Sequence, residues 1–324
     1  MKLGRLYRMI VETGIRHDPR GPQEVRRLLQ EEKKKRAELK GLELEAFDAD
    51  RLFNPYSDSR ILVGDPEREV RRVIVGVDME TPEILLAHVL NRDFKRRIDL
   101  VISHHPEGRA LARLVDVMGV QADLLARFGV TISAAEQLLE KRVQEVDRRL
   151  MPLNHSRTVD AARLLGMPFL CVHTPADNCV SAYLQDLFDR QKPRLLKDII
   201  DLLRDIPEYR SSWMRQVPPK IVSGGDNNRC GKIYVDMTGG TEGAKDVFQK
   251  IVSGGVSTLV GMHLSEEHLE NAKKANLNVV IAGHISSDVL GLNLLFDEVE
   301  KEGALDFVAA SGFERVRRTR KRKT

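Results

Sequence analysis

The chain has 324 residues, of which 42% are hydrophobic and 31% are charged. This balance excludes an intrinsically disordered protein and a small disulfide-stapled module, and it predicts one large domain or two lobes with a sizeable core. The 52 basic and 48 acidic residues leave a net charge of only +4, so the chain lacks the global positive charge of a typical nucleic-acid-binding domain.

The number and spacing of the cysteines and the length of the apolar segments indicate the cellular compartment of the protein. Cys171, Cys179 and Cys230 are too few and too irregularly spaced for a CxxC zinc site or a disulfide framework. No apolar run approaches the roughly 20 residues of a membrane-spanning helix, and the basic start of the chain lacks the hydrophobic core of a secretion signal. We therefore expect a reduced, cytoplasmic protein that is not embedded in a membrane.

The first 50 residues are rich in charge. Val25, Leu28, Leu29 and Leu39 are interrupted by charged side chains, a pattern that predicts a solvated helix with a thin apolar stripe. Turn-forming residues follow at positions 54–58. We therefore expect a charged helical extension over residues 1–50 and a main α/β domain over residues 51–324.

From residue 51 onward, short β-branched segments alternate with amphipathic segments, a pattern typical of an α/β fold with a largely parallel sheet. The predicted strands cover residues 72–77, 99–103, 168–172, 232–235, 258–260, 278–282 and a segment near Phe307. The predicted helices cover residues 82–90, 120–150, 158–165, 243–252, 266–275 and 287–301, with proline-broken helices over 181–219. No repeat with a period of roughly 20 to 50 residues is present.

Metal-ligand side chains follow three of these strands, and open α/β sheets bind ligands at the carboxyl ends of their strands. His104 and His105 come directly after the strand at 99–103, and Pro106 ends that strand so that both rings can turn toward one cleft. A pair of histidines in a solvated loop is the alternative interpretation.

The other two strand ends supply carboxylates. Asp177 follows the strand at 168–172 and suits a divalent ion, although it would also serve as the N-cap of a helix starting at Asn178. His284 and Asp288 would lie on one face of a helix and share an ion. Alternatively, Asp288 is favoured there only by the dipole of the first helical turn.

Together these segments supply three imidazoles and two carboxylates, which are His104, His105, Asp177, His284 and Asp288. Five ligands exceed the needs of one tetrahedral ion and favour a pair of ions with a bridging carboxylate. The mixed nitrogen and oxygen set suits Zn, Fe, Mn, Co or Ni, and ligand type alone does not choose among them.

Four motifs, in this order, resemble the NGG-interacting factor three-like dinuclear metal-binding family, also catalogued as GTP cyclohydrolase I type 2 homologues. They are DSRILVGDP at residues 58–66, SHHP at 103–106, HTPAD at 173–177, and Gly283-His284 followed by the acid at 288. The resemblance runs from about Asn54 to the C-terminus. It implies a two-lobed α/β/α sandwich, a toroidal hexamer, and two divalent ions per chain held by the five residues above, with Asp288 as the bridge. The family usually has Glu at this last position, and Asp reaches less far by one methylene.

Several other residues are candidates with weaker patterns. His263, after the strand at 258–260, is predicted to line the cleft as a proton-transfer or ligand-supporting residue, and a solvated loop histidine is the alternative. The glycine-rich segment 239–243 lacks phosphate-binding spacing and is interpreted as a tight turn. Four further histidines are interpreted as structural, with His173 near enough to Asp177 to orient it: His88, His155, His173 and His268.

The C-terminal tail carries six closely spaced basic residues, Arg317, Arg318, Arg320, Lys321, Arg322 and Lys323. Such a cluster can contact nucleic-acid phosphates, but a solubilising end is its more common use.

These observations lead to two hypotheses for function. The first is a metal-dependent hydrolase that acts on a nucleotide or phosphoester through a metal-bridging hydroxide. The family name suggests GTP, but no residue specifies a guanine or triphosphate pocket. The second is a non-catalytic metal-carrying or regulatory protein that binds a partner.

Overall fold

The computed structural model describes residues 1–95 and 97–318. Two mixed β-sheets with helices on their faces confirm the predicted two-lobed α/β/α architecture. No helix in these two ranges combines the length and the apolar character needed to cross a bilayer.

The first part of the chain supplies most of one lobe and two helices that pack on the other. Its elements are α1 (Leu3–Arg16), α2 (Pro22–Glu38), α3 (Gly41–Glu45), β1 (Ile61–Val63), β2 (Arg72–Gly76), α4 (Thr81–Phe94), β3 (Leu100–Ser103), α5 (Gly108–Ala112), α6 (Gly119–Arg127), α7 (Ile132–Leu150), α8 (Arg157–Leu164), β4 (Phe169–Cys171) and α9 (Thr174–Gln191). Short 3-10 helices lie at Ala49–Leu52 and Leu114–Val117.

The second part of the chain builds the other lobe and returns one strand to the first. Its elements are α10 (Leu196–Arg204), α11 (Pro207–Met214), β5 (Lys220–Ser223), β6 (Lys232–Asp236), α12 (Phe248–Ser253), β7 (Val256–Gly261), α13 (Glu266–Lys274), β8 (Asn278–Ile281), α14 (His284–Val299) and β9 (Asp306–Ala309).

Four strands of the first sheet have the same topology as the four strands of the second. Among the described residues, one sheet has the strand order β1-β4-β3-β2-β9 and the other has β5-β8-β7-β6. In each sheet the first strand is antiparallel to its neighbour, and the other strand pairs are parallel. The two lobes therefore repeat one supersecondary arrangement, with a period far longer than roughly 50 residues.

Alternating side chains place the first sheet between two cores. Val73 and Val75 pack with α1, α9 and α14, whereas Ile74 packs with α4 and α8 on the opposite face. Parallel strands covered on both faces are expected to be apolar without interruption, and β2 and β3 have that composition.

Helices α9 and α14 form the layer between the sheets. Cys179 of α9 and Phe296 of α14 belong to the core under the first sheet, and Leu184 and Leu290 belong to the core under the second. The outer face of the second sheet is covered by α6, α7, α12 and α13. Both sheets thus direct the carboxyl ends of their strands toward the start of this central helix pair.

Helix α1 differs from the solvated extension expected for residues 1–50. Leu3, Leu6, Tyr7, Ile10 and Val11 are all buried in the core beneath the first sheet. Their spacing gives one continuous apolar face. Helix α2 follows the expectation, because Val25 is the buried residue in its span.

Several other predicted elements have different bounds in the structure. The segment 120–150 is two helices, α6 and α7, because Gly129 adopts a positive φ of 99° between them. The predicted helix 243–252 forms only over α12, so residues 237–247 are a loop. Helix α14 starts at His284, before the predicted start at residue 287. The short antiparallel strands β1 and β5 were not predicted.

Part of the basic tail is bonded within the chain. Arg315 forms ion pairs with Asp297 and Glu300, and Arg318 pairs with the buried Glu208. Arg317 also contacts Glu300. These cations are therefore used in holding the C-terminal segment on α14 and α11. The other basic residues of the predicted tail, Arg320, Lys321, Arg322 and Lys323, lie outside the described residues.

Candidate metal centre

The site begins with the close contact of α9 and α14. A Cβ atom on Gly291 of α14 would lie 2.5 Å from the carbonyl oxygen of Ala176, so only glycine permits this approach. Asp177 and Asp288 lie close in sequence to these contact points, each in the first turns of its helix. The helix packing therefore brings two carboxylates from distant parts of the chain together.

The start of α14 depends on a second glycine. Gly283 has a φ of 110°, a conformation that L side chains rarely adopt, and it turns the chain from β8 directly into the helix. His284 is the first helical residue, and its Nε2 atom lies 3.5 Å from Asp288 Oδ2 one turn later. His284 and Asp288 therefore lie on one face of α14, as expected from their spacing.

The histidines after β3 both turn toward these carboxylates. The Nε2 atom of His104 lies 3.4 Å from Asp177 Oδ1 and 3.4 Å from Asp288 Oδ1. His105 Nε2 lies 3.6 Å from Asp288 Oδ2 and 3.3 Å from His284 Nε2. All five predicted ligands therefore meet in one cluster.

Asp288 is central to this cluster because its two oxygens face different partners. Oδ1 faces His104 and Oδ2 faces His105 and His284. Ligand atoms of His104, Asp177 and Asp288 lie within 4.8 Å of one another, as do those of His105, His284 and Asp288. Both triads can hold a metal ion, and they share one carboxylate.

His173, interpreted from sequence as structural, lies in the same cluster. Its ring centroid is 4.9 Å from that of His104, and its Nε2 atom is 3.7 Å from Asp177 Oδ2. His104, His105 and His173 form a third group with ligand-atom spacing suited to an ion. The available signal was the four-residue spacing of His173 and Asp177, which matches that of His284 and Asp288.

The interpretation of Asp177 as an N-cap does not fit the structure. Helix α9 starts at Thr174, with His173 at the N-cap position, so Asp177 lies inside the first turn. A carboxylate there is favoured by the helix dipole, but its Oδ1 atom is buried without a hydrogen-bond partner in the described part of the chain.

The unpaired atoms test whether these residues fit a metal ion. His104 Nε2, Asp177 Oδ1 and both carboxylate oxygens of Asp288 are buried and have no hydrogen-bond partner within residues 1–95 and 97–318. Buried polar atoms are almost always satisfied, and leaving carboxylate oxygens bare is costly. A divalent cation would satisfy all four atoms at once, so the residues fit the group.

The charges in the cluster support the same conclusion. Burial disfavours a charged His104, but Asp288 and Asp177 outweigh it and raise the pKa of His104 above its usual value. Burial likewise opposes ionisation of Asp288, but His104, His284 and His105 hold its pKa below the usual value. Burial and the neighbouring His104 lower the pKa of His105 to about 4. Asp288 is thus kept ionised and His105 is kept neutral, the forms that bind a metal, whereas His104 would give up its proton to an arriving cation.

His263 borders the cluster. It lies two residues beyond the end of β7, as His105 lies two residues beyond the end of β3, and its ring centroid is 4.9 Å from that of His284. Burial and His284 lower the pKa of His263. With Asp236, Glu242 and the ligands of α9 and α14, it lines a cleft of about 80 Å³.

Two of the histidines interpreted as structural keep that role. His268 bonds the carbonyl of Gly243, and His155 bonds the carbonyl of Leu150. The glycine-rich segment 239–243 borders the metal cleft as part of the 237–247 loop, in place of the predicted turn into a helix.

Solved structures provide the comparison with known proteins. The chain is similar to a NIF3 superfamily protein from Sphaerobacter thermophilus, with 28% identity over 79% of this chain and 92% of that one and a TM-score of 0.68. It also matches reduced HcgD from Methanocaldococcus jannaschii (15% identity, 82% and 94% coverage, TM-score 0.48). A third match is TTHA1606 from Thermus thermophilus (14% identity, 79% and 89% coverage, TM-score 0.44).

No family model and no curated protein matches the chain. The comparison therefore depends on the Sphaerobacter structure, whose similarity extends over nearly all of that protein. The chain has the fold of that NIF3 superfamily protein, as the resemblance to the NGG-interacting factor three-like family implies.

Proposed function

We propose that the chain is a dinuclear metal protein and a metal-dependent hydrolase of nucleotides or phosphoesters. The observation that carries this proposal is the group of four buried, unpaired ligand atoms on His104, Asp177 and Asp288. Asp288 would bridge the two ions. The remaining ligands would be His173 beside His104 and Asp177, and His284 beside His105.

A pair of divalent ions would lower the pKa of a bound water and stabilise negative charge that develops on a substrate oxygen. The chain's own residues would hold and orient that pair. His284, whose side chain is 40% exposed, lies on the solvent side of the cluster, whereas His104 is 1% exposed. A substrate would therefore approach from the side of His284 and His263.

His263 is the proposed proton-transfer residue. It lines the cleft next to His284, and its lowered pKa keeps the imidazole neutral near pH 7, the form that accepts a proton. Asp236 and Glu242 line the same cleft from the second lobe. A proton-transfer group and two further carboxylates thus line the same cleft as the metal ligands.

The identity of the substrate is a finer proposal. A nucleotide such as GTP follows from the family resemblance, and the cleft of about 80 Å³ suits the reacting group of such a molecule. The same resemblance extends the proposal to a cytoplasmic homo-oligomer, in the form of a hexamer.

The test combines metal analysis with a hydrolysis screen. The purified protein is expected to hold about two ions per chain and to hydrolyse p-nitrophenyl phosphate, its bis-ester or GTP. His284→Ala is expected to lower both readings, and His155→Ala, which changes a histidine outside the cluster, serves as the matched control. Two ions without turnover of any of these substrates would favour the metal-carrying alternative.

A further inference from the structure

A buried carboxylate lies directly behind one of the candidate ligands. Asp58 Oδ2 accepts a hydrogen bond from His173 Nδ1 at 2.9 Å, and its side chain is fully buried. We propose that Asp58 is a positioning residue, which fixes the His173 ring so that its Nε2 atom faces the metal centre. This inference rests on the proposed metal centre and concerns a residue outside the predicted ligand set.

The two histidines after β3 show the same arrangement with different acceptors. His104 Nδ1 bonds the carbonyl oxygen of Val172 at 3.0 Å, and His105 Nδ1 bonds Asp78 Oδ1 at 2.6 Å. With Nδ1 occupied in each ring, the Nε2 lone pair of the neutral imidazole points into the cluster. Metal-binding histidines usually donate their second N–H to such an acceptor, which fixes the tautomer and raises the basicity of the ligand.

Asp58 is held more firmly than a single bond to His173 requires. Thr174 donates to Oδ2 from its hydroxyl at 2.6 Å and its backbone N–H at 3.3 Å, and Ser59 donates to Oδ1 at 3.2 Å. The Ser59 hydroxyl in turn accepts from the backbone N–H of His173 at 2.9 Å. The carboxylate, the ring and the start of α9 therefore form one closed hydrogen-bonded unit.

This unit is anchored to the N-terminal part of the chain. Tyr7 of α1 and Asn54 both donate to the carbonyl oxygen of Ser59, at 3.1 and 2.8 Å. The buried Arg60 donates to the same oxygen and pairs with Asp48. These contacts fix the backbone next to Asp58, which supplies the rigidity that a metal site needs around its ligands.

Asp78 supplies a matched comparison. It makes the same bond to a histidine, but its side chain is 54% exposed, whereas that of Asp58 is 0% exposed. Water can replace an exposed acceptor, so the loss of Asp78 is expected to matter less. Both aspartates accept a hydrogen bond from a histidine Nδ1, but only Asp58 is buried. A comparison of their variants therefore distinguishes the loss of a positioning contact from the loss of a negative charge.

The experiment uses the metal-free full chain titrated with Co²⁺ in competition with a chelator. Asp58→Ala is expected to weaken the binding of one ion by roughly 10- to 100-fold and to change the visible Co²⁺ spectrum, because a ligand moves. Asp58→Asn, which keeps an acceptor oxygen without the charge, should fall between Asp58→Ala and the wild-type protein. Asp78→Asn should lose less affinity than Asp58→Asn.

A second measurement does not depend on the folding of a variant. In ¹⁵N-histidine NMR spectra of the wild-type protein with Zn²⁺, His173 should carry its proton on Nδ1 and bind the ion through Nε2. Binding through Nδ1 would overturn the inference, as would folded Asp58 variants with wild-type Co²⁺ affinity and spectrum. If the wild-type protein binds no Co²⁺ or Zn²⁺, the metal centre itself is wrong and the inference falls with it.

Discussion

The Nε2 atoms of His105 and His284 lie 3.3 Å apart, although 179 positions separate the two residues in the chain. His105 follows a strand of the first sheet and His284 follows a strand of the second. Two neutral imidazoles at this distance repel each other through their lone pairs unless a proton or a cation lies between them. The edge at which the lobes meet is therefore also the place where the candidate metal centre forms.

Removing His284 tests that arrangement directly. His284→Ala deletes one ligand of the outer triad and leaves His104, Asp177 and Asp288 in place, so bound metal is expected to fall from about two ions per chain to about one. Elemental analysis of the purified variant measures this ratio. The fold should persist, because the His284 side chain is partly exposed and is not part of the core. His155→Ala should keep both ions, and equal loss in both variants would contradict the assignment.

Asp288 should behave differently from His284. Its oxygens face both triads, so Asp288→Asn removes the shared anionic ligand and is expected to abolish the binding of both ions. A bridging carboxylate therefore predicts about zero ions per chain in Asp288→Asn and about one in His284→Ala. Circular dichroism checks that the variant is folded. Retention of one tightly bound ion by Asp288→Asn would show that Asp288 serves a single ion.

Metal binding should also stabilise the fold. A ligand that binds only the folded state adds about 2.7 kcal/mol at a concentration of 100 times its Kd. Zn²⁺ or Mn²⁺ added to the metal-free protein is therefore expected to raise the Tm in a concentration-dependent manner. The same titration of Asp288→Asn should leave the Tm unchanged. An equal rise in both proteins would place the ion elsewhere.

Most of the site could be predicted because its ligands follow strands that the sequence defines well. Short apolar runs identified β3, β4 and β8, and metal-type side chains that follow them are expected to meet at one sheet edge. His173 was missed for a physical reason. A histidine directly before a helix that begins with Thr-Pro resembles an ordinary strand-to-helix turn. Beyond its four-residue spacing from Asp177, its contacts with Asp58 and His104 are what distinguish it.

The rest of the fold depends on contacts that local patterns do not contain. Strands β1 and β5 have three and four residues and gain their bonds from distant partners, β4 and β8. The helix predicted over 243–252 begins only at Phe248, because the preceding loop is held in another conformation: Gly239 and Gly240 adopt positive φ values, and the Gln121 side chain donates to the Gly239 carbonyl. The common strand order of the two sheets likewise appears only in three dimensions.

Asp236 provides a prediction about pH. Burial raises the pKa of Asp236 from 3.8 to about 6, although the Tyr234 hydroxyl that donates to it acts in the opposite direction. The folded state thus binds this proton more tightly than the unfolded chain, so stability from this group is lost as the pH rises from about 4 to about 6. Asp236→Asn should therefore gain stability relative to the wild-type protein across that interval.

Thermal or urea unfolding of both metal-free proteins at several pH values measures that difference. Asp246→Asn, at an exposed position on the loop that follows β6, controls for the loss of one negative charge. A difference between Asp236→Asn and the wild-type protein that stays constant from pH 4 to 7 would mean that this carboxyl ionises as freely in the folded state as in the unfolded chain.

Helix α1 should contribute to the stability of the main domain. Leu6 is fully buried beneath the first sheet, so Leu6→Ala creates a cavity and is expected to lower the free energy of unfolding by about 2–5 kcal/mol. Leu42, 78% exposed in the same N-terminal region, is the matched control, and its change to Ala should cost less than about 0.5 kcal/mol. Urea unfolding followed by circular dichroism measures both values. If residues 1–50 were an independent extension, Leu6→Ala would leave the main transition where it is, because no contact of the core would be lost.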